Sequence, residues 1–199
     1  METIRGKYAS HMNHAAWSAC LQQAASVHID LGTGDGRFVS HLARAYPRML
    51  IIGVDACREN LVDSSRRAPA NALFIIANAC ALPPELAGVA AHLTVNFPWG
   101  SLLQGLLQPD SSLALALRRL AQPAASLDLR LNAGALADEG YSLEQGTAAV
   151  QTMLAHNGFN LRAAHQLTAA QLKAFPTTWA KRLAFGRDPR AVHLSALTR

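Results

Sequence analysis

The strongest chemical signal in the sequence lies between Asp30 and Gly36, where a short apolar run ends in an acidic residue followed by glycines at positions 32, 34 and 36. Glycines at the junction of a strand and a helix let the backbone turn sharply and approach a ligand closely. Several classes of nucleotide-binding protein share such a loop, so the glycines alone do not identify the ligand. The residues around the loop must decide between these classes.

Two acidic residues make the loop more specific. Asp30 stands at the strand end, where a carboxylate suits an ammonium group better than a pyrophosphate, and no P-loop lysine follows. Asp55 ends the next predicted strand, where a carboxylate can accept hydrogen bonds from ribose hydroxyls or, alternatively, cap the following helix. Segment 77–83 follows the third strand, where folds of this type flank an adenine ring. In this order and spacing, the three signals predict a site for S-adenosylmethionine.

A second group of candidate residues follows the fourth predicted strand, in segment 96–100. The carboxyl edge of a parallel sheet is where a substrate would meet the cofactor. An aromatic side chain there can stack on an unpaired base, a contact worth roughly 1–3 kcal/mol. Trp99 is therefore a candidate for base binding, and closure of the cofactor pocket by its ring remains an alternative.

Alternating strands and helices must position these residues. Strands are predicted over 27–31, 50–55, 72–76, 92–97, 126–131, 159–167 and 191–197, and helices over 13–25, 38–45, 60–67, 113–120 and 144–156. Only a short helical turn, 169–174, separates the last two strands, which predicts an antiparallel last strand. The expected fold is α/β and Rossmann-like, with a seven-stranded, mostly parallel sheet. We expect one methyltransferase domain over 1–199, with an N-terminal hairpin and helix extension over 1–25.

Composition restricts the class of protein and its partners. No apolar run in the 199 residues approaches the roughly 20 that a membrane span needs, so we expect a soluble, cytoplasmic, monomeric protein. Three cysteines without a CxxC pair argue against a disulfide framework and a metal site. The net charge of +5, with several basic residues after position 180, suits a polyanionic partner but is equally compatible with a solvated surface.

Three motifs together closely resemble the kanamycin–apramycin resistance methyltransferases. They are Ile29-Asp-Leu-Gly-Thr-Gly-Asp-Gly-Arg37, Asn96-Phe-Pro-Trp-Gly-Ser-Leu-Leu103 and Trp179-Ala-Lys-Arg-Leu-Ala-Phe-Gly-Arg187. The resemblance extends over nearly the whole chain, and its last motif is the most specific, because cofactor binding alone does not require it. It implies methylation of N1 of adenine 1408 in the 16S rRNA of the 30S subunit, and thus aminoglycoside resistance.

The resemblance also implies individual roles. Trp99 and Trp179 would sandwich the flipped adenine, and Arg190, within one residue of register, would stabilise the flipped nucleotide. The residues expected around the cofactor are Asp30, Gly32, Gly34, Gly36, Asp55, Ala79, Cys80, Ser101 and Thr177. The residues expected to contact RNA are Arg66, Arg67, Lys181, Arg182, Arg187 and Arg190.

Two departures from the family pattern have expected consequences. Cys80 stands where relatives often place Glu beside the cofactor adenine, which removes an acceptor for the exocyclic amine and predicts weaker cofactor binding. Segment 65–71 is shorter than the lysine-rich loop that relatives dock on the ribosome and keeps only Arg66 and Arg67. This shortening predicts weaker binding to the 30S subunit.

Other functions remain open from the sequence. A tRNA methyltransferase of the guanine-N7 type can also place Pro-Trp after its fourth strand. A protein that binds S-adenosylmethionine without methylating RNA would fit Cys80 and the shortened segment. A small-molecule methyltransferase is less favoured, because it would not need the basic residues near the C-terminus.

Overall fold

The computed structural model describes residues 1–186 and 188–199, and the strands in them form one continuous mixed sheet. The strands are β1 (Glu2–Arg5), β2 (Tyr8–His11), β3 (Ser26–Leu31), β4 (Met49–Asp55), β5 (Ala72–Ile76), β6 (Ala90–Asn96), β7 (Ala121–Asn132), β8 (Phe159–Gln166) and β9 (Ala191–Thr198). Their spatial order is β2-β1-β5-β4-β3-β6-β7-β9-β8. The order reverses on either side of β3, which creates the crevice where α/β proteins bind ligands.

The α/β fold is as predicted, but the sheet has nine strands instead of seven in the described residues. The N-terminal hairpin joins the sheet edge through antiparallel pairing of Thr3 with Ile75, which accounts for the two additional strands. Pairing is parallel among the five central strands and antiparallel at both edges. The predicted antiparallel last strand is confirmed, because β9 runs opposite to both β7 and β8.

The helices cover the sheet or close its carboxyl edge. They are α1 (His14–Gln23), α2 (Arg37–Ala45), α3 (Arg58–Arg66), α4 (Gly100–Leu107), α5 (Ser112–Leu120), α6 (Ala133–Asp138), α7 (Leu143–His156), α8 (Ala169–Ala174) and α9 (Thr178–Gly186). The sequence prediction missed α4, α6 and α9. The prediction of only a short turn between the last two strands was therefore wrong, because both α8 and α9 lie there.

Two apolar clusters hold the helices on opposite faces of the sheet. The larger one joins the central strands to α4, α5 and α7, and the smaller one joins β4 and β5 to α2 and α3. On α2, Phe38, Val39 and Ala43 are buried, as expected of an amphipathic helix whose apolar residues recur at helical spacing. Within the residues described, no helix is long and apolar enough to cross a membrane.

A third, smaller cluster fastens α8 and α9 to the carboxyl edge of the sheet. Phe97, at the end of β6, packs there with Leu172 of α8, Ala180 and Leu183 of α9 and Ala191 of β9. This packing carries the C-terminal helices above the crevice, next to the loops that follow β3 and β6. Residues far apart in the sequence thereby come to line one cavity.

Candidate active site

A cavity of about 720 Å³ opens at the carboxyl ends of the central strands. Such a volume falls within the range of pockets that hold drug-sized ligands. The predicted site residues that line it are Asp30, Gly32, Gly34, Asp55, Ala79, Cys80, Trp99, Ser101, Thr177, Trp179 and Arg182. Predictions made from separate parts of the chain therefore meet in one place.

The glycine loop needs glycine for both conformation and space. Gly32 and Gly34 have φ angles of +67° and +55°, in the left-handed region that other residues rarely adopt. A Cβ atom on Gly32 would lie 2.3 Å from Cδ2 of Leu102, so a side chain there would collide with α4. Gly36 differs from the other two, because it does not line the cavity and instead begins α2 against the ring of Phe74.

Asp30 places a carboxylate at the floor of the cavity. Its side chain is 1% exposed, and Oδ1 accepts hydrogen bonds from Oγ1 of Thr94 at 2.6 Å and from Nδ2 of Asn96 at 2.9 Å. Burial raises the pKa of Asp30 to about 6, although these hydrogen bonds and the charge of Arg130 lower it in part. The carboxylate is thus costly to keep ionised until a cation approaches, which suits it to bind an ammonium group.

Asp55 links the second parallel strand to the glycine loop. Its Oδ2 accepts a hydrogen bond from the backbone N–H of Gly34 at 2.8 Å, and its Oδ1 accepts one from that of Cys57 at 2.9 Å. A carboxylate has about four lone-pair positions, so the two backbone contacts leave acceptor capacity toward the cavity. Asp55 therefore braces the start of α3 and also lines the cavity.

The far end of the cavity is lined by the segment after β5. Ala79 is half-buried, and Cys80 is exposed, with its backbone N–H donating to Oδ1 of Asn78 at 2.9 Å. An Asn side chain that accepts from the backbone two residues later forms an Asx turn, which fixes the path of this segment. The turn holds Ala79 and Cys80 at the cavity wall.

Trp99 and Trp179 form a second wall of the cavity. Their ring centroids lie 5.1 Å apart with an interplanar angle of 88°, an edge-to-face contact. Trp99 reaches the cavity through a sharp turn at Phe97, whose φ of +53° is unfavourable for a residue other than glycine. Strain of this kind concentrates at functional sites and persists because the surroundings hold it; here Phe97 is buried under α8 and α9.

Helix α9 is tied directly to the glycine loop. Thr177 precedes the helix, and its hydroxyl accepts a hydrogen bond from the backbone N–H of Ala180 at 3.0 Å, as an N-cap residue does. The hydroxyl of Thr178 donates to Oδ2 of Asp35 at 2.5 Å. Asp35 belongs to the glycine loop and Trp179 follows Thr178, so this contact joins the two walls of the cavity.

The predicted RNA-binding residues occupy different settings. Lys181 and Arg182 are exposed on α9, and Arg182 reaches the cavity rim. Arg66 and Arg67 are exposed at the end of α3 and do not line the cavity. Arg190 also lies outside it, and its guanidinium contacts both carboxylate oxygens of Asp188. The prediction for Arg187 lies outside the described residues.

Sequence reasoning missed a polar layer behind Asp30. Thr94 and Asn96 alternate along β6, directly beside β3, and Nη1 of Arg130 on β7 donates to Oδ1 of Asn96 at 2.9 Å. His28 on β3 joins this layer, because its Nε2 lies 3.0 Å from the Thr94 hydroxyl. Polar residues at alternate positions in otherwise apolar strands were the signal that could have revealed this layer.

The site fits S-adenosylmethionine in its groups as well as in its size. A buried carboxylate stands where an ammonium group would bind, and a second carboxylate, Asp55, stands on the neighbouring strand for ribose hydroxyls. Among the described residues, no cluster of three or more His, Cys, Asp or Glu side chains could hold a metal ion.

Comparison with known proteins gives a consistent result. The family model NpmA, described as 16S rRNA (adenine(1408)-N(1))-methyltransferase, matches residues 2–198. A curated Escherichia coli protein of the same description is 32% identical over 179 residues, which cover 81% of this chain and 82% of the relative.

Solved structures agree in fold along the whole chain. The aminoglycoside resistance methyltransferase NpmB1 is 30% identical with a TM-score of 0.82, and the match covers 100% of this chain and 99% of that one. The 16S rRNA methyltransferase KamB is 27% identical with a TM-score of 0.89, again covering 100% and 99% of the two chains. Both matches therefore extend over the whole chain, including all nine strands of the described sheet.

Proposed function

Because the chain belongs to the 16S rRNA (adenine(1408)-N(1))-methyltransferase family, we propose that it transfers a methyl group from S-adenosylmethionine to N1 of that adenine in the 30S subunit. The observation that carries the proposal is that the buried carboxylate of Asp30 and the indoles of Trp99 and Trp179 line one cavity. A methyl donor and a planar acceptor base would meet between these two walls.

The cofactor half of the cavity binds through charge and close backbone contact. Asp30 pairs with the ammonium group, Asp55 accepts from the ribose hydroxyls, and Gly32 and Gly34 admit the ligand next to the backbone. Ala79 and Cys80 lie along the adenine, while Ser101 and Thr177 contribute hydroxyls near the methionine part. When bound, S-adenosylmethionine supplies an electrophilic methyl group on a positively charged sulfur.

The chemistry at the acceptor requires positioning, without a general base. N1 of adenine has a lone pair and no hydrogen, so no residue of the chain would need to remove a proton before the methyl group is transferred. Holding the reacting atoms in line and excluding water can supply up to roughly 7–11 kcal/mol. The methylated adenine carries a positive charge, which the faces of Trp99 and Trp179 stabilise by cation–π attraction.

Admission of the base requires the tryptophan pair to open. A base held between two parallel rings needs ring centres roughly 7 Å apart, twice the contact distance of about 3.5 Å. The indoles are 5.1 Å apart and perpendicular, so at least one of them must turn as the base enters. Arrival of the flipped adenine then replaces one aromatic contact by two.

The basic residues orient the enzyme on RNA. Lys181 and Arg182 stand within one turn of Trp179 on an exposed helix face, where they would contact phosphates next to the flipped nucleotide. Arg66 and Arg67 extend the basic surface on the α3 side. Arg190 would first have to leave Asp188 to reach a phosphate, and Arg187 adds a further positive charge to this segment.

The proposal has consequences for the cell and for the form of the protein. One continuous sheet runs through the chain, which supports residues 1–199 as a single domain, and this domain is proposed to act as a monomer. A 30S substrate places the enzyme in the cytoplasm. Methylation of N1 alters an atom of the decoding site, and aminoglycoside resistance of cells that express the chain is the expected result.

Transfer of radiolabelled methyl groups tests the function. The chain is incubated with labelled S-adenosylmethionine and either 30S subunits, naked 16S rRNA or tRNA, and the digested RNA is separated into nucleosides. We expect 1-methyladenosine from 30S subunits and no labelled nucleoside from tRNA. Labelled 7-methylguanosine from tRNA would show that tRNA is the substrate instead of 16S rRNA. Label in none of the RNAs would favour a protein that only binds the cofactor.

A further inference from the structure

We propose that Arg130 is a positioning residue that connects the two halves of the site, acting on Asp30 through Asn96 and on the segment that carries Thr177 and Trp179 through the ring of Phe175. Of these two roles, only the one at Phe175 rests on the proposed function. Arg130 itself does not line the cavity.

The register of the sheet brings the polar groups together. Asp30 pairs with Thr94 across β3 and β6, and Asn96 pairs with Arg130 across β6 and β7. Side chains two residues apart on one strand, and those paired across strands, share a face of the sheet. The four side chains therefore form one row that leads from β7 to the cavity floor.

Arg130 determines the orientation of the Asn96 amide. Nη1 of Arg130 can only donate, so the atom it meets at 2.9 Å must be the amide oxygen of Asn96. The amide nitrogen then faces Asp30 and donates to Oδ1 at 2.9 Å. Without Arg130 the amide loses the partner that keeps its oxygen away from the carboxylate.

The second contact of Arg130 reaches the base-binding half. Its Cζ atom lies 4.5 Å from the ring centroid of Phe175, a cation–π contact. Phe175 ends α8 and precedes Thr177, and its ring also stacks on Phe38 at 5.2 Å. The guanidinium thus helps to seat the linker between α8 and α9 on the sheet.

Charge strengthens the first contact. Arg130 stabilises the ionised form of Asp30, whose burial raises its pKa to about 6. The other titratable groups on this face are His28, His92, Asp128, His193 and His165; burial lowers the pKa of His28 to about 4, so it adds no positive charge near neutral pH. Loss of Arg130 should therefore raise the pKa of Asp30 and reduce its affinity for a cation.

Calorimetry of S-adenosylmethionine binding between pH 5 and 8 tests the first half without RNA. Arg130→Met should weaken binding about tenfold at pH 7, because a hydrogen bond within a charged network is lost. It should also move the pH at which affinity is half lost upward from about 6. Arg162→Met, the same change at an exposed arginine of β8, is the matched control and should leave both quantities unchanged.

Arg130→Lys provides an independent test should Arg130→Met not fold. Lysine keeps the charge but lacks the planar fork that meets Asn96 and the ring together. We expect its half-loss pH to stay near the wild-type value while affinity falls about threefold. Wild-type affinity in a folded Arg130→Lys protein, or wild-type affinity and half-loss pH in folded Arg130→Met, would overturn the inference.

Methyl transfer to 30S subunits at saturating S-adenosylmethionine tests the second half. Arg130→Met should be about fivefold slower than wild type, the size of effect expected when a cation–π contact of about 1 kcal/mol is lost. A full rate would overturn the role at Phe175. If the wild-type protein methylates no RNA while the half-loss pH still shifts in Arg130→Met, the proposed function fails and the role at Asp30 stands.

Discussion

The two walls of the cavity are built differently. The wall that we propose binds S-adenosylmethionine, here called the cofactor wall, is formed by strand ends. In it Asp30 accepts two side-chain hydrogen bonds and Asp55 accepts two from the backbone. The wall that we propose binds the adenine, here called the base wall, consists of Trp99 on a loop and Trp179 on α9. These two indoles contact each other. The comparison supports the proposal that the cofactor half is formed in advance, whereas the base half rearranges when RNA arrives.

Removal of an indole should separate the two walls most strongly. Trp179→Ala should reduce methyl transfer to 30S subunits at least about a thousandfold, because stacking energy and alignment of N1 are lost together. Affinity for S-adenosylmethionine should change less than threefold by calorimetry. Phe185→Ala, which removes an exposed ring from the same helix, is the control and should retain activity. If Trp179→Ala lost affinity for S-adenosylmethionine, Trp179 would also take part in cofactor binding, and the two walls would not be functionally separate.

The opposite separation is expected at Asp30. Asp30→Asn keeps the shape of the side chain but leaves the cofactor ammonium without a counter-charge, so S-adenosylmethionine affinity should fall at least about a hundredfold. Equilibrium dialysis with labelled cofactor measures this loss. The melting temperature without cofactor should not fall, because a buried carboxylate has been replaced by a neutral amide. If Asp30→Asn kept the wild-type affinity for S-adenosylmethionine, Asp30 would not bind the cofactor ammonium.

The pH dependence of the wild-type protein sharpens the same point. Below about pH 6 Asp30 binds a proton, so S-adenosylmethionine affinity should fall about tenfold between pH 7 and pH 5, in step with the ionised fraction of the carboxyl. Without cofactor, the folded state holds this proton more tightly than the unfolded chain. The contribution of Asp30 to the free energy of unfolding is therefore largest below about pH 4 and is lost as pH rises toward 6. Thermal melting at pH 4 to 7 in wild type and Asp30→Asn checks this sign; a contribution that grows with pH would contradict it.

A smaller effect is expected where the walls meet. Thr178→Val removes the hydroxyl that donates to Asp35 but keeps the side-chain shape, and methyl transfer should slow by about fivefold through loss of one hydrogen bond to a charged group. Cofactor affinity measured by calorimetry should change less than twofold. Thr152→Val, on the exposed side of α7, makes the same chemical change away from the cavity. Equal rates in the two variants would show that the contact does not position Trp179.

The smallest effect is expected at the adenine end. Cys80→Glu restores a carboxylate acceptor at an exposed position and should strengthen S-adenosylmethionine binding about threefold, the gain from one partly solvated hydrogen bond. Cys80→Ala, which removes the thiol without adding an acceptor, should bind as wild type does. Calorimetry of both variants measures the difference, and equal affinities would show that the cysteine costs the protein nothing.

The sequence predicted the cofactor wall better than the base wall for a physical reason. Asp30 and Asp55 stand at the ends of apolar runs, so a local pattern places them at the carboxyl edge of a parallel sheet. The Asp35–Thr178 contact spans 143 positions along the chain, and no local pattern reports such a pairing. Trp99 and Trp179 were placed in one site only by resemblance to a family.

The missed elements follow the same logic. Helix α9 buries only Ala180 and Leu183, too few apolar positions to produce a clear helical period. The hairpin strands were predicted, but their place in the main sheet depends on the pairing of Thr3 with Ile75, which lies beyond the reach of local patterns. Arg130 was missed because a charged residue in a strand usually marks an exposed edge, whereas here it is half-buried against Asn96 and Phe175.

Primer extension on 16S rRNA tests the central claim most directly. A methyl group on N1 blocks Watson–Crick pairing, so reverse transcriptase stops one nucleotide before the modified adenine. After incubation of 30S subunits with the chain and S-adenosylmethionine, we predict one new stop, one nucleotide short of adenine 1408, with wild-type protein and none with Trp179→Ala. A new stop at another nucleotide, or the same stop with Trp179→Ala, would contradict the account.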